Sequence, residues 1–536
     1  GRVTSEPRAF LTTDTGAATI AVALVGRVAG RWRLVGSLAL PAGADAEAAA
    51  TVLLDRVRSA DADLASTLGL TGVRPSDLPS VDVVSRPARR LAVVAGSERA
   101  LEPLVAAAAR SGWRPTSASP ETTDPLSMTA MLLDASIEGI LAGAGDPPAA
   151  DERRALGELG ALLAAAAERR PELTVVLAGG MADQLAAFGD ASARHAPVVV
   201  AAAAAAGERG SELREALLDL ALAGDDARRA LGSAALSLAE ILDRRVDVVE
   251  IGFDGGTRAG AWPAAGATSS GVDLAVVATA GLAPSDPDDA VVDRVATWSS
   301  AAGDRHRLRD RLRELRIAPW ADVAGEGVEL RLAAARAALG CLAERTPDWF
   351  GRPPADLVVA TGGVWSVASG PAVVLALIDV LRRSGASQYA LDHARLLAPL
   401  GSIADPVERR AVMTDLLDDL LAPLGSVVTP AGLRPGRSVG TLHLHGADGT
   451  RDVELRPGGL SVVDLPPGAD ATAELQFHDT VRLGGRGRRF AVDVTGGLGG
   501  LLLDLRDVPL ELPDRADLRA ELLESWQAAV SPVREP

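Results

Sequence analysis

The chain has 536 residues, a formal net charge of −17 and a composition that is 48% hydrophobic and 23% charged. These proportions are ordinary for globular proteins and exclude wholesale disorder. There is no lysine and no asparagine, which excludes a lysine-containing phosphate loop, a lysine Schiff base and N-linked glycosylation. The acidic balance argues against general nucleic-acid binding, because neutralising phosphates requires clustered cations.

Cysteine and apolar patterning narrow the protein class further. Cys341 is the one cysteine, so an intramolecular disulfide and a cysteine-based metal site are excluded. The longest uninterrupted apolar stretch, Val198–Ala206, is about half as long as a membrane span. The first residues also lack the basic-then-apolar pattern of a signal peptide. We therefore expect a cytoplasmic protein without membrane association.

The first half of the chain alternates strand and helix patterns. Ala9–Thr13, Thr19–Val25 and Arg31–Leu40 predict strands around the turn Asp14-Thr15-Gly16, and Ala46–Leu68 predicts one long helix. Strand–helix units then recur, with Ser211–Asp243 as another long helical stretch. This alternation predicts a mostly parallel sheet covered by helices.

The opening arrangement starts again at Val246–Ile251, which runs into a glycine turn and a return strand. Helical patterns follow, including Asp288–Ile317, and after about Gly425 the residues alternate between apolar and polar, which predicts antiparallel strands. We predict three domains: a first lobe over 1–245 with insertions, a second lobe over 246–425, and a β-rich module with a terminal helix over 426–536.

Three glycine turns follow buried-looking strands and could carry chemistry. They are Asp14-Thr15-Gly16 with Thr19, Asp254-Gly255-Gly256-Thr257, and Thr361-Gly362-Gly363. Such turns let backbone N–H groups approach phosphate oxygens, and an adjacent aspartate can hold a hydrated divalent cation. Ordinary turn chemistry explains each turn taken alone. Their order and spacing together predict a nucleotide cleft between two related hairpins.

The layout resembles the actin, hexokinase and heat-shock-chaperone superfamily, and within it the glutamate mutase L family. The segment Val176–Asp183, with Gly179 and Gly180, resembles an internal motif of that family, and Leu391–Ser402 and Gly496–Leu501 resemble two others. The resemblance covers roughly residues 8–425. It implies a two-lobed actin-like (ribonuclease H-like) α/β fold carrying the β-rich C-terminal module.

The turns and the resemblance together predict ATP and Mg²⁺ as cofactors. Asp14 and Asp254 are the predicted catalytic and metal-holding residues. The predicted nucleotide contacts are Asp14, Thr15, Gly16, Thr19, Gly179, Gly180, Gly255, Gly256, Thr257, Thr361, Gly362 and Gly363.

Departures from the family pattern weaken the predicted catalysis. Ala17 and Ala18 stand where relatives carry a hydroxyl, and the usual basic residue shortly after is absent. The acid of the second motif is either Glu250 or, in a shifted register, Asp254. We favour Asp254 because Asp254-x-Gly256 repeats Asp14-x-Gly16. ATP binding with very slow or absent hydrolysis is the expectation.

Three functions compete at this point. The resemblance implies a chaperone-like protein partner of an adenosylcobalamin-dependent mutase. The alternative is a nucleotide-independent pseudo-ATPase scaffold that acts through protein contacts. A small-molecule kinase would need a carboxylate base, and none is assignable. His443 and His445 alternate on a predicted strand and could ligate a metal, but exposed strand histidines explain them more simply.

Overall fold

The computed structural model describes residues 7–145, 148–188, 198–201, 212–222, 224–284, 287–299, 304–319, 325–434, 438–508 and 510–531. The chain separates into two compact units. The larger comprises residues 1–86, 225–274 and 280–536, and the smaller comprises 87–224 and 275–279. This division differs from the three predicted domains, because the smaller unit is inserted into the larger one in the chain order.

The described residues form the following strands and helices. The strands are β1 (Ala9–Thr15), β2 (Thr19–Val28), β3 (Arg31–Pro41), β4 (Ser80–Val84), β5 (Arg89–Ala95), β6 (Trp113–Ala118), β7 (Gly139–Ala144), β8 (Thr174–Gly179), β9 (Val198–Ala201), β10 (Val246–Ile251), β11 (Gly256–Trp262), β12 (Gly271–Val277), β13 (Leu357–Thr361), β14 (Gly385–Leu391), β15 (Ala422–Thr429), β16 (Gly440–Gly446), β17 (Gly449–Leu455), β18 (Leu460–Val463), β19 (Asp470–Leu483), β20 (Gly485–Thr495) and β21 (Leu501–Asp504). The helices are α1 (Ala46–Ala60), α2 (Ala62–Thr67), α3 (Glu98–Ala109), α4 (Pro125–Leu133), α5 (Ala150–Arg169), α6 (Glu212–Ala221), α7 (Ala227–Leu242), α8 (Asp289–Thr297), α9 (Arg305–Ile317), α10 (Glu326–Arg345), α11 (Gly370–Leu381), α12 (Leu397–Gly401), α13 (Pro406–Asp415), α14 (Leu417–Leu420) and α15 (Ala516–Val530).

The larger unit contains two sheets with the same local topology. One has the strand order β3-β2-β1-β4, and the other begins β12-β11-β10-β13 and continues β14-β15-β21-β18. In each, a central strand pairs antiparallel with the strand that follows it and parallel with a later one: β1 with β2 and β4, and β10 with β11 and β13. This duplication is the two-lobed actin-like α/β arrangement that the sequence predicts.

Helices α7 and α12 pack between these two sheets. Their apolar faces share one core cluster with residues of β1, β2, β10, β11 and β13. Helix α7 is rich in alanine on its buried face, and it begins at Asp226, whose side chain accepts the Arg228 N–H. Small side chains let the helices approach closely, so that a Cβ added at Gly401 would lie 2.0 Å from the Ala230 carbonyl oxygen.

The smaller unit is built on a five-stranded parallel sheet of order β6-β5-β7-β8-β9. Strands β5, β7 and β8 are mostly apolar and largely buried, because parallel sheets are covered on both faces. Two apolar clusters, one on each side of the sheet, bury side chains of α3, α4, α5 and α6. The predicted strand–helix alternation is confirmed for this unit.

The C-terminal region contains the predicted antiparallel β structure, with sheet order β17-β16-β19-β20. Alternate residues of β19 are buried, and they share a core cluster with β15 and β21. However, β18 and β21 join the eight-stranded sheet. The described part of the region thus lies in the larger unit, and every residue of the strand Leu501–Asp504 is buried.

Three predicted long helices are each broken at an aspartate. Asp61 separates α1 from α2, Asp226 begins α7, and Asp304 begins α9, and each side chain accepts N–H groups of the new first turn. Aspartate is a strong N-cap, so it restarts a helix where apolar spacing alone predicts continuation. Among the described helices, none is long and apolar enough to cross a membrane.

Substitution of Gly401 tests the close packing of α7 on α12. Gly401→Ala should lower the free energy of unfolding by about 1–3 kcal/mol, because the added methyl forces the helices apart. Gly340→Ala within α10 is the matched control, since no atom lies within 4 Å of its added Cβ, and it should stabilise by about 0.5–1 kcal/mol. Urea denaturation measures both, and equal effects would contradict the packing described here.

Candidate functional site

The first hairpin places Asp14 at the carboxyl end of β1. The strand pairing closes with Asp14 opposite Ala21 and Thr15 opposite Ile20. The Gly16 N–H donates to the Thr19 carbonyl at 2.8 Å and tightens the turn. Asp14 is only 8% exposed, so its carboxylate lies beneath the turn and not on the surface.

The second hairpin puts Glu250, not Asp254, in the position equivalent to Asp14. Its last pairs are Glu250 with Thr257 and Ile251 with Gly256, which matches the last two pairs of the first hairpin. The favoured register is therefore not the one that the structure adopts. The turn after β10 is one residue longer than the turn after β1, and Asp254 falls within it.

The third glycine turn lies against both hairpins. Gly362 has φ +110°, and a Cβ added there would lie 2.5 Å from the Ile251 carbonyl oxygen at the end of β10. A Cβ at Gly363 would lie 3.1 Å from Thr19 Oγ1 at the start of β2. The backbone around Gly362 leaves no room for any side chain at that position. At Gly363 there is little room for one. The three turns that the sequence singles out thus meet at one place.

Arg395 occupies the space between the first hairpin and the third turn. Its Nε and Nη2 donate to Asp14 Oδ2 at 2.8 and 2.7 Å, and its Nη1 donates to Thr19 Oγ1 at 2.6 Å. Both members of the ion pair are 11% exposed at the side chain. Arg395 has φ +54°, a backbone conformation that non-glycine residues adopt at a cost. The fold therefore holds this guanidinium in place against local strain.

One oxygen of Asp14 has no hydrogen-bond partner among the described residues. Arg395 donates two hydrogen bonds to Oδ2 and none to Oδ1. Oδ1 is buried and accepts no hydrogen bond from the described residues. An unsatisfied buried carboxylate oxygen costs free energy, so the site favours a further donor or cation there. Among the described residues, no group of three or more histidine, cysteine, aspartate or glutamate side chains is arranged to hold a metal directly.

Two further carboxyl groups lie close to Asp14 and sense its charge. Burial raises the pKa of the Glu250 carboxyl, and the charge of Asp14 raises it further, against a 2.6 Å hydrogen bond from Thr257 Oγ1 and the charges of Arg228 and Arg395. Burial likewise raises the pKa of Asp392 to about 6. Asp392 accepts N–H bonds from Leu396 and Leu397 and the Thr361 hydroxyl bond at 2.9 Å.

Asp254 has a separate partner. Its Oδ1 accepts a hydrogen bond from Arg316 Nη1 at 2.5 Å, and the same nitrogen also donates to the Ala283 carbonyl. Arg228, fixed by Asp226 at 2.7 Å, adds positive charge that acts on both Glu250 and Asp254. Asp14 and Asp254 are thus each paired with an arginine, whereas Glu250 is hydrogen-bonded by a neutral hydroxyl.

The structure brings most predicted site residues together but leaves some elsewhere. Around the meeting point of the turns lie Asp14, Gly16, Thr19, Thr257, Thr361, Gly362 and Gly363. Gly255 and Gly256 belong to the second hairpin. Thr15 lies in the first hairpin, where its carbonyl accepts the Ser85 N–H. Gly179 and Gly180 belong to the smaller unit at the end of β8. There, a Cβ at Gly180 would lie 2.6 Å from the Gly145 carbonyl.

Sequence reasoning missed Arg395, Arg316 and the role of Asp392. Arg395 and Asp392 lie in the Leu391–Ser402 segment that resembles the family, but nothing in their spacing shows which side chain they contact. His443 and His445 are strand residues with local partners: His443 contacts Asp452 at 2.6 Å, and His445 contacts Thr450 at 3.0 Å.

No family model and no curated protein matches the chain. The chain is similar to the Aquifex aeolicus Ppx/GppA phosphatase, type II variant, with 8% identity over 76% of this chain and 88% of that one, at a TM-score of 0.18. It is also similar to a ROK family glucokinase from Streptomyces griseus in complex with glucose and AMPPNP, with 11% identity over 73% of this chain and 97% of that one, at a TM-score of 0.27. The fold is assigned from the duplicated strand order of the two sheets in the larger unit.

The pH dependence of stability tests the environment of Asp392. Since its folded-state pKa of about 6 lies above the ordinary aspartate value of 3.8, the folded state binds the proton more tightly between these values. The contribution is therefore present at low pH and lost as pH rises through about 6. At about 1.4 kcal/mol for each pH unit between the two pKa values, the loss is on the order of 3 kcal/mol.

Asp392→Asn removes this titration. The difference in unfolding free energy between wild type and variant should favour the wild type more at pH 4 than at pH 7, as measured by urea denaturation. Asp448→Asn, at an exposed turn, controls for the loss of one carboxylate elsewhere. A wild-type-to-variant difference that does not change with pH would contradict a carboxyl group that prefers to be protonated.

Proposed function

We propose that the chain is an actin-like ATP-binding protein whose hydrolysis of ATP is weak or absent. The observation that carries the proposal is the buried, unpartnered Oδ1 of Asp14 at the point where both hairpins and the third turn meet. In a duplicated hairpin fold this is where a nucleotide's phosphates and their cation would lie. The residues present fit a hydrated divalent cation better than a directly ligated one, because too few carboxylates of the described residues converge for a full coordination shell.

The residues that would hold the ligand follow from this geometry. Asp14 Oδ1 and Glu250 would face the hydrated Mg²⁺, which when bound supplies charge neutralisation of the phosphates. Glycines at positions 16, 255 and 256 keep the hairpin backbones bare, and Gly362 and Gly363 do the same at the third turn. Arg395, already bonded to Asp14 and Thr19, is placed to offer its guanidinium to a phosphate, since arginine matches phosphate geometry.

Weak catalysis follows from what the same residues lack. Ala17 and Ala18 offer no hydroxyl, and no lysine exists in the chain. Each missing donor to developing charge costs roughly 10²–10³ in rate by analogy with oxyanion donors. Binding can therefore persist where turnover does not.

A nucleotide-independent scaffold is the second candidate, and a specific observation favours it. Arg395 and Arg316 already neutralise Asp14 and Asp254, so the hairpins are stable without a cation. Under this hypothesis the arginines replace the ligand for good, and the protein acts through contacts with other proteins.

The partner and the location are proposed from the sequence alone. The resemblance to the glutamate mutase L family supports a chaperone-like role towards an adenosylcobalamin-dependent mutase, whose damaged cofactor such proteins are thought to help exchange. A cytoplasmic site of action suits that role. Nucleotide-dependent movement of the two hairpin sheets would be the means of acting on such a partner.

Calorimetric titration with Mg-ATP tests the proposed site. We expect binding by the wild-type chain, weakened at least about tenfold by Glu250→Gln, a loss of about 1.4 kcal/mol. Asp254→Asn is the matched control, because it removes a carboxylate from the same hairpin outside the position equivalent to Asp14, and its affinity should stay near that of the wild type. Phosphate release should remain well below the roughly 1 s⁻¹ that marks the slow end of typical enzymes.

The outcomes separate the candidates. No heat of binding at millimolar Mg-ATP would favour the scaffold and contradict the proposed function. Greater loss in Asp254→Asn than in Glu250→Gln would show that the other register forms the site.

A further inference from the structure

A cavity of about 430 Å³ lies beside the C-terminal end of α11 and the β19–β20 hairpin, and it is strongly basic. Its described lining includes Arg382, Arg383, Arg482 and Arg486, with no acidic residue among them. Such a lining is unexpected in a chain with a net charge of −17. The cavity is formed by residues of the larger unit only, and none of its lining residues belongs to the hairpin turns described above.

Two of these arginines stand directly opposite each other. Arg482 of β19 pairs with Arg486 of β20 across the hairpin, and like charges at such positions destabilise a sheet. Two hydrogen bonds hold the backbone of Arg482 in place and so oppose a shift that would separate the two charges. Its carbonyl accepts from Ser384 Oγ at 2.7 Å and from the Ala431 N–H at 2.9 Å. A counter-ion between the two guanidiniums would remove the repulsion.

Arg382 adds an incompletely paired charge beneath the cavity. It is 7% exposed, and burial lowers its pKa to about 10. Its acidic partner, Asp504, lies 3.2 Å away but is already bonded by Arg506 at 2.8 and 2.9 Å. The Nε and Nη1 of Arg382 are buried without an acceptor among the described residues. The Asp504 carboxylate is thus shared between Arg382 and Arg506.

A structural explanation accounts for only part of the cluster. Cations near a helix C-terminus are stabilised by the helix dipole, which suits Arg382 and Arg383 after the end of α11. That explanation does not reach Arg482 and Arg486, which lie on the hairpin. Arginines from two separate elements converge on one cavity whose volume is within the range of small-molecule sites.

We propose that this arginine pocket binds a small molecule that carries a diphosphate group. Guanidinium groups pair bidentately with phosphate oxygens, and a multiply charged anion is needed to balance several arginines at once. The pocket is distinct from the proposed ATP cleft and does not depend on it. A ligand there would tie α11, which follows the third glycine turn, to the C-terminal hairpin.

Titration with inorganic pyrophosphate in low-salt buffer containing EDTA tests the proposal, since chelation removes metal-dependent binding at the hairpin cleft. Arg486→Gln should weaken pyrophosphate binding at least about tenfold, because charge-assisted hydrogen bonds are lost. Arg488→Gln is the matched control: it removes the same charge two residues along β20, at an exposed position outside the lining, and should change affinity less than about threefold. Arg482→Gln should reproduce the effect of Arg486→Gln. Glu250→Gln should leave pyrophosphate binding unchanged, which keeps this test separate from that of ATP.

Inorganic phosphate provides a further arm of the same experiment. It should bind more weakly than pyrophosphate, because one phosphate group cannot engage both the α11 end and the hairpin. The proposal is overturned by equal losses in Arg486→Gln and Arg488→Gln, which would indicate general surface charge, by equal affinities for phosphate and pyrophosphate, or by no binding to the wild-type chain.

Discussion

The buried ion pair between Asp14 and Arg395 is the interaction on which the site depends. It joins the first strand of the chain to a segment 381 residues later, and through Thr19 it also fixes the start of β2. Removing one member of a buried pair leaves an uncompensated charge, at a cost of about 3–5 kcal/mol. Because Gly363 lies against both Thr19 and Arg395, the position of the third turn also depends on this pair.

The two hairpins are equivalent in topology, but the equivalent carboxyl groups, Asp14 and Glu250, have different partners. Asp14 is balanced by a full positive charge, whereas Glu250 is bonded by a neutral hydroxyl and has a raised pKa. The basic residue that the resembled family usually places shortly after its first motif is absent here. The guanidinium of Arg395, which follows β14, instead pairs with Asp14. Positive charge at the first hairpin is therefore supplied by a distant part of the chain.

Much of the fold can be predicted from the sequence because it depends on local patterns. The duplication shows in Asp14-Thr15-Gly16 and in the second glycine turn, and the period-2 alternation after Gly425 predicts antiparallel strands. The helix starts at Asp61, Asp226 and Asp304 could not be predicted from apolar spacing. An aspartate N-cap stabilises a new helix start by only about 1 kcal/mol, and the apolar spacing continues through it. The assignment of β18 and β21 to the long sheet depends on contacts between distant segments, which no local pattern records.

The site is harder to predict than the fold for the same reason. The three glycine turns are visible as short motifs, but the choice between Glu250 and Asp254 depends on how many residues the second turn contains. The repeat of Asp-x-Gly misleads because sequence spacing from the glycine is not the strand register. No sequence motif predicts the role of Arg395, because its partner Asp14 lies 381 residues away in the chain. Its positive φ is likewise set by tertiary packing.

A double-mutant cycle on Asp14→Asn and Arg395→Met, measured by urea denaturation with and without Mg-ATP, tests the central claim most directly. Without nucleotide we expect a favourable coupling of a few kcal/mol, as contacting residues in one network show. With saturating Mg-ATP the coupling should fall, because the cation takes up the free oxygen of Asp14 and the phosphates take up part of the guanidinium. A coupling near zero without nucleotide would contradict the ion pair as the central constraint. A large coupling that Mg-ATP does not change would contradict the claim that this pair stands where the nucleotide binds.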